Sequence, residues 1–397
     1  MNPRLSLLQP YPFEKLRALF HGITPNPSMT PIVLSIGEPK HPTPPFICQA
    51  LADNLAGLAS YPATLGKEDL RRTIAEWLGR RYRLAAIDHQ TQVIPTLGSR
   101  EALFALAQVV IDPGEANALV VCPNPFYQIY EGAALLAGAR PYFMNSLAED
   151  GFRADFAAVP EDVWRRTRLV FTCSPANPTG RVMTLEEWGT LFELSHRYGF
   201  VIAADECYSE IYHDNTKPPL GALEAAQLFG VSRYARLVVL GSLSKRSNVP
   251  GMRSGFAAGD ASIISAFTLY RTYHGSAMSP AIQAASNAAW QDEAHVIENR
   301  RQYREKFSAF RDIVEPEFPL TMPEAAFYYW ARTPIPDTEF AQRLYRDYHV
   351  TVLPGSLLAR EAHGINPGAH YVRIAMVPMV SECNDAALRI KEFMKRM

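Results

Sequence analysis

The sequence predicts an α/β chain with a mostly parallel central sheet flanked by helices, and a smaller α+β domain beside it. Three observations carry that expectation. From about residue 46 to 260, short apolar runs alternate with segments of helical spacing. Those runs lack the in–out alternation of a half-exposed strand, as expected for a sheet covered on both faces. After residue 280 the texture changes to one long helical pattern followed by shorter elements.

The elements follow in order. Residues 22–45, GITPNPSMTPIVLSIGEPKHPTPP, are proline-rich and therefore extended rather than helical. NALVVC, RLVFTC, FVIAAD, RLVVLG and SGFAAG read as buried strands. Between them REALFALAQVVI and TLEEWGTLFELSHRYG carry helical spacing. The second opens with Thr184 and Glu187 in capping-box positions and stops at Gly199. AIQAASNAAWQDEAHVIENRRQYREKFSAFRDIV reads as a long amphipathic helical stretch. The implied division is an N-terminal arm over 1–45 that packs with the small domain, a large domain over 46–284 and a small C-terminal domain over 285–397.

Composition narrows the function. A formal net charge of -1 offers no basic field for nucleic acid or anionic lipid. No apolar run approaches the roughly 18 residues that span a bilayer, and MNPRLSLLQPYPFEKL lacks the pattern of a signal peptide. The five cysteines (Cys48, Cys122, Cys173, Cys207 and Cys383) form no CxxC pair, which argues against a disulfide framework or a metal site. Cys122, Cys173 and Cys207 sit in or beside strand-like runs and read as buried structural thiols. A reducing, cytoplasmic compartment is the expectation.

In open α/β sheets, ligands collect outside the carboxyl ends of the strands. Several polar residues fall there: Gly98, Ser99 and Arg100 before a helix, Ser174 and Asn177 after RLVFTC, Asp205 at the end of FVIAAD, and Ser242, Ser244 and Lys245 after RLVVLG. Each has an ordinary reading alone: a solvated lysine, a strand-ending aspartate, a turn in NPTG. Together they have matching parts. The Gly98-Ser99-Arg100 segment opening a helix, the hydroxyls of Ser242 and Ser244 and the Arg253 guanidinium suit a phosphate. Lys245 is an amine able to condense with an aldehyde, and Asp205 is a carboxylate able to hold a pyridine nitrogen protonated. Phosphate, aldehyde and pyridine meet in pyridoxal 5′-phosphate.

On these residues the chain resembles the class I/II aminotransferases of fold type I, from end to end. The motifs are SIGEP at 35–39, Tyr61 with the downstream GKEDLR, LGSRE at 97–101, NPFYQIY at 124–130, ANPTG at 176–180, DECYSEIY at 205–212, SLSKRSNVPGMRSG at 242–255 and YVRIA at 371–375. The resemblance implies that Lys245 joins the cofactor aldehyde and shuttles the substrate proton. It implies that Asp205 pairs with the pyridine nitrogen, and that Tyr208 and Asn177 bond the ring oxygen. Tyr127, rather than Phe126, is the aromatic stacked on the ring. Ser99, Ser242, Ser244 and Arg253 take phosphate positions. Arg100 stands where many relatives have lysine, its phosphate contact coming from backbone. Tyr61 reaches the phosphate of a second subunit, which implies a homodimer with shared active sites. Arg373 grips the substrate α-carboxylate and Gly37 lies where backbone approaches the substrate. Positive charge near Lys245, such as Arg253, is expected to lower its pKa.

Within that family LSLLQPYPFEKLRALF and LSIGEPKHPTP are similar to the succinyldiaminopimelate aminotransferases. That likeness implies exchange between glutamate/2-oxoglutarate and N-succinyl-2-amino-6-oxopimelate/N-succinyl-diaminopimelate in bacterial lysine synthesis. An aspartate or broad-range aminotransferase shares every cofactor residue, and a lyase on the same scaffold is the more distant alternative. A substrate with several carboxylates asks for a second cation at the site, which the sequence leaves unassigned.

Overall fold

A computed structural model describes residues 1–397. Its strands, in chain order, are β1 (Ile32–Val33), β2 (Val93–Thr96), β3 (Leu119–Asn124), β4 (Arg140–Asn145), β5 (Thr167–Cys173), β6 (Val201–Asp205), β7 (Leu237–Ser242), β8 (Gly255–Gly259), β9 (Tyr328–Arg332), β10 (Val350–Thr351), β11 (Leu353–Pro354) and β12 (Tyr371–Ala375). Seven of them form one sheet in the order β2-β8-β7-β6-β5-β3-β4. The neighbours from β7 to β4 run parallel, and β8 alone is reversed, antiparallel to both β7 and β2. The fold is thus α/β, with a mostly parallel sheet between helical layers.

Alternate residues of the central strands enter two different cores. Val121, Val170, Ile202 and Val239 pack into one. Val120, Leu169, Ala203 and Val238 pack into the other. With apolar neighbours on both faces, these strands have no polar side to show, which is why they read as unbroken hydrophobic runs. SGFAAG is a strand as expected, but it is the reversed one. The chain leaves β7 through the turn that carries Lys245 and returns directly along β8, so no crossover helix intervenes.

A second, antiparallel sheet of β11-β12-β9 forms around the C-terminal residues. The proline-rich N-terminal segment joins it: β1 pairs in parallel with β10, and Ala375 N donates to Leu34 O at 2.7 Å. Tyr329, Phe310, Phe340 and Ile390 fill the core beneath.

The long helical pattern after residue 280 is two helices, Pro280–Gln291 and Ala294–Val314. The break has a local cause. Asp292 is extended (φ -95, ψ 129), its carboxylate accepts from His295 N at 3.0 Å, and buried Arg246 takes the carbonyls of Ala289 (2.7 Å) and Asp292 (3.1 Å). Hydrophobic spacing carries no mark of such a break, because the apolar face continues through it. Thr184 and Glu187 do form a capping box, and Gly199 ends that helix in the left-handed region at φ 81. No helix is long and apolar enough to cross a membrane.

β7 and β8 approach closely where the Lys245 turn begins and ends. A Cβ at Gly255 would lie 2.4 Å from the carbonyl oxygen of Gly241, a contact backbone cannot yield without parting the strands. Gly255→Ala is expected to lower unfolding stability by roughly 1–3 kcal/mol, measured by urea denaturation at constant m.

Candidate active site

The carboxyl ends of β2, β3, β5, β6 and β7, together with the entry to β8, open onto one cavity of about 810 Å³. Its lining includes Gly37, Ser99, Arg100, Tyr127, Asn177, Asp205, Tyr208, Ser242, Ser244, Lys245, Arg253 and Arg373. Of the residues given a cofactor or substrate role in the sequence, only Tyr61 lies elsewhere, fully exposed on the surface; Gly98 and Ser174, placed at the same rim, do not line the cavity.

Lys245 sits in the short helix Leu243–Arg246 that follows β7, and its Nζ donates to Gly37 O at 2.7 Å. It has no carboxylate partner. Burial lowers its pKa from the model-peptide 10.5 to about 8, with Arg373 and Arg253 adding repulsion against the raising influence of Cys207 and Glu38. Removal from water, more than neighbouring charge, makes the amine available.

Asp205 ends β6 and is 3 % exposed. Tyr130 Oη donates to its Oδ2 at 2.8 Å, and Cys207 N donates to its Oδ1 at 3.2 Å. Burial pushes its carboxyl up, while Cys207, Tyr130 and the Lys245 charge pull it back. Cys207 and Cys173 are cavity-lining and half-buried rather than sealed in the core; only Cys122 fits the expectation of a buried thiol. They escape burial because both stand at strand ends around Asp205, Cys173 being its register partner. Cys207 Sγ donates to Ser99 Oγ at 2.8 Å.

The helix Ser99–Val110 points its first turn into the cavity. Gly98 before it is left-handed (φ +81), and a Cβ there would lie 2.5 Å from Arg253 Nη2. Arg253 is anchored by Pro250 O (3.0 Å) and Leu97 O (3.3 Å), and Ser244 N donates to Ser242 Oγ at 3.1 Å. Bare backbone N–H groups, hydroxyls and a guanidinium therefore converge on one end of the cavity. Arg100 turns away from that end: its Nε donates to Tyr127 Oη at 2.5 Å, and its guanidinium lies 5.9 Å from the Tyr11 ring centroid and 5.8 Å from that of Tyr127.

At the other end Arg373 projects from β12. Its Nη1 donates to Asn177 Oδ1 at 2.9 Å and its Nη2 to Ser35 O at 2.8 Å, while Nε is buried without a partner. Tyr208 Oη is 3.0 Å from Tyr328 Oη. The sequence gives no role to Tyr130 or Tyr328, and reads Cys207 only as a structural thiol. Tyr130 lies within NPFYQIY one helical turn beyond Tyr127, a spacing that could have flagged it; Tyr328, in AAFYYW, carries no such signal.

This donor set fits pyridoxal 5′-phosphate. The bare helix start with Ser99, Ser242, Ser244 and Arg253 would hold a phosphate, buried Asp205 could accept from a ring N–H, and Lys245 is an amine of lowered basicity within the same cavity.

Residues 30–389 match the family model for aminotransferase class I and II, and the chain belongs to that family. Its members use pyridoxal 5′-phosphate and act on amino and keto acids. A crystal structure of an aminotransferase from Neisseria meningitidis Z2491 is 50% identical, covers 99% of this chain and 100% of its own, and superposes with a TM-score of 0.96. The aminotransferase AspB of Helicobacter pylori 26695 is 36% identical over 98% of this chain and 100% of its own, with a TM-score of 0.90. An LL-diaminopimelate aminotransferase from Desulforudis audaxviator is 30% identical over 99% of this chain and 98% of its own.

The lowered pKa gives a direct expectation. Below about pH 8 the Lys245 amine is protonated and inert, and above it the amine is free. Competitive labelling of the cofactor-free protein with an acylating reagent should show Lys245 half-reactive near pH 8, whereas solvated lysines follow about 10.4. Peptide mass spectrometry reads the two profiles, and coincident profiles would contradict the burial argument.

Proposed function

We propose that this chain transaminates an amino acid of the diaminopimelate series against glutamate/2-oxoglutarate, with N-succinyl-diaminopimelate and its 6-oxo counterpart as the substrate pair. The observation that carries this reading is the charge of the cavity lining. Arg100, Lys245, Arg253 and Arg373 have no carboxylate partner. Two of them serve the cofactor and one the substrate α-carboxylate; Arg100 remains, at the mouth beside Tyr11, for a second carboxylate. The acids of the lining are all engaged: Glu38 by Lys40 (2.8 Å), Glu101 by Arg271 (2.9 Å), Asp205 by Tyr130. A free distal ammonium would find no unpaired carboxylate, whereas an acylated distal nitrogen asks for none. A second reading, free LL-diaminopimelate as substrate, is favoured by the names of the relatives near 30% identity.

Pyridoxal 5′-phosphate, when bound, supplies an aldehyde that links to amines and an electron-poor ring that accepts the charge left as a Cα proton departs. The residues of this chain do the rest. Burial pushes the Asp205 carboxyl up, so a proton on the ring nitrogen opposite it would favour its ionised form, and the buried carboxylate would in turn favour a protonated ring. Tyr208 and Asn177 would bond the ring oxygen, and Tyr127 would cover the ring face. Ser99, Ser242, Ser244, Arg253 and the backbone at Arg100 would hold the phosphate. Arg373 grips the α-carboxylate near Gly37 and so orients the Cα–H bond toward Lys245. Lys245, an amine whose basicity burial lowers, then takes that proton and returns it as a general base and acid. We further propose a homodimer in which exposed Tyr61 completes the phosphate site of the partner subunit.

Half-reactions test the substrate. Mixing the holoenzyme with single amino donors and following the cofactor absorbance should show rapid conversion by N-succinyl-diaminopimelate and glutamate, and slow conversion by aspartate. Faster conversion by LL-diaminopimelate than by its succinylated form would move the assignment to the second reading. Pyruvate and ammonia release without conversion of the cofactor would indicate a lyase. Arg373→Leu should lower kcat/KM for every donor by roughly 1.5–3 kcal/mol per charged hydrogen bond lost. Arg100→Gln should cost about as much for donors with a distal carboxylate and little for alanine; equal losses on both would remove Arg100 from the substrate.

A further inference from the structure

Tyr328 touches three of the groups on which the site depends, and no role has been given to it. It lies on β9, diagonal to Arg373 on β12: Ala375 is its register partner and Arg373 faces Trp330 two residues on. Opposed residues in an antiparallel pair share a face, so the Tyr328 ring and the Arg373 side chain emerge on the same side of the sheet. The ring centroid is 4.3 Å from Arg373 Cζ. The hydroxyl is 3.0 Å from the Tyr208 hydroxyl. A Cβ built at Gly37 would lie 1.9 Å from that same hydroxyl and 2.9 Å from Cζ behind it.

We propose that Tyr328 is a positioning residue that sets Arg373 and Tyr208 relative to one another, and that it is the reason position 37 is a glycine. The inference rests on the roles proposed above for Arg373 and Tyr208. The two halves of the side chain act separately. The ring face is the electron-rich partner of a buried guanidinium that has only neutral hydrogen-bond acceptors, Asn177 and Ser35, and no carboxylate. It holds Arg373 flat without neutralising it, so the guanidinium stays available to a carboxylate. The hydroxyl completes the hydrogen bonding of Tyr208, whose ring is otherwise packed edge-on against Phe327 and Tyr328 itself. Burial holds both phenols protonated, raising Tyr208 well above its ordinary value and raising Tyr328 as well. The pair is therefore a neutral O–H···O contact in which one hydroxyl always has a proton to give.

The division of labour predicts different consequences for two substitutions. Tyr328→Phe keeps the ring and loses the hydroxyl. In the holoenzyme it should lower kcat about fivefold, the worth of one hydrogen bond, with KM for the amino donor unchanged. Its dissociation constant for succinate, an unreactive dicarboxylate measured by calorimetry, should also be unchanged. Tyr328→Leu loses the ring as well and should weaken succinate about tenfold, with KM rising in step. Gly37→Ala should impair the enzyme in the wild-type background and be partly relieved when combined with Tyr328→Phe, because the nearest clashing atom is then gone. Equal succinate affinities in the Phe and Leu variants, or additive effects of Gly37→Ala and Tyr328→Phe, would overturn the proposal. Should the Leu variant fail to fold, the Gly37 cycle alone decides. A wild-type protein that converts no amino donor would instead overturn the proposed function, and the same assays read that outcome.

Discussion

Four cations share one cavity without a carboxylate to pair any of them, and the rest of the structure depends on keeping them that way. Arg373 is buried and Lys245 partly so, while Arg100 and Arg253 are exposed at the rim. Burying unpaired positive charge is costly, so the inner two above all must be held by something short of an ion pair. The fold supplies neutral acceptors. Lys245 rests on the carbonyl of Gly37, Arg373 on Ser35 and Asn177, Arg253 on Pro250 and Leu97, and Arg100 on the phenol of Tyr127. Elsewhere several buried arginines of this protein are neutralised, Arg81 by Glu210, Arg246 by Glu293 and Arg271 by Glu101, although Arg71 rests on the carbonyls of His89 and Gln90 alone. What sets the cavity apart is that four unpaired cations meet there, a lining suited to anions that are not part of the chain.

Sheet topology explains how the four arrive together. Arg100 and Lys245 follow the carboxyl ends of β2 and β7, and the reversal of β8 puts Arg253 at the same rim, since a strand running backwards begins where its neighbours end. Arg373 comes from the other sheet, carried to the cavity by β12, whose last residue is bonded to Leu34 of the N-terminal segment. Two glycines at the rim serve this packing. Gly255 lets β8 lie against the Gly241 carbonyl, and Gly98 leaves room for the Arg253 guanidinium.

Much of this was legible in the sequence, for a physical reason. Strands buried on both faces must be apolar throughout, so NALVVC, RLVFTC, FVIAAD and RLVVLG announce themselves, and polar residues directly after them announce a rim. Short or half-exposed strands do not: β2 contains a proline and β4 (RPYFMN) mixes polar and apolar residues, and neither was read as a strand. The break at Asp292 was hidden because an apolar stripe does not register a carboxylate taking one backbone N–H. Tyr130 and Tyr328 go unmarked, and Cys207 reads as a structural thiol, because their importance lies in what they touch. Nothing in AAFYYW says which aromatic faces Arg373, and only the register of β9 against β12 decides it.

The neutral acceptors also explain how such a cavity can release what it holds. A carbonyl bonded to a buried cation is worth far less than an anion in the same position, so an arriving phosphate or carboxylate displaces it at little cost. Two of those carbonyls, Ser35 and Gly37, belong to one stretch of chain, and they are held by the two groups that substrate and cofactor engage. The remaining anchors of that stretch, His41 to Asn299 at 2.8 Å and Thr43 to the carbonyl of Asn248 at 2.9 Å, involve neither. Leu34, just before Ser35, is held from both sides, its N–H by Thr351 O at 2.8 Å and its carbonyl by Ala375 N at 2.7 Å. A site lined with carboxylates could not take up anions in this way, because its cations would already be satisfied and an incoming anion would have to break an ion pair to enter.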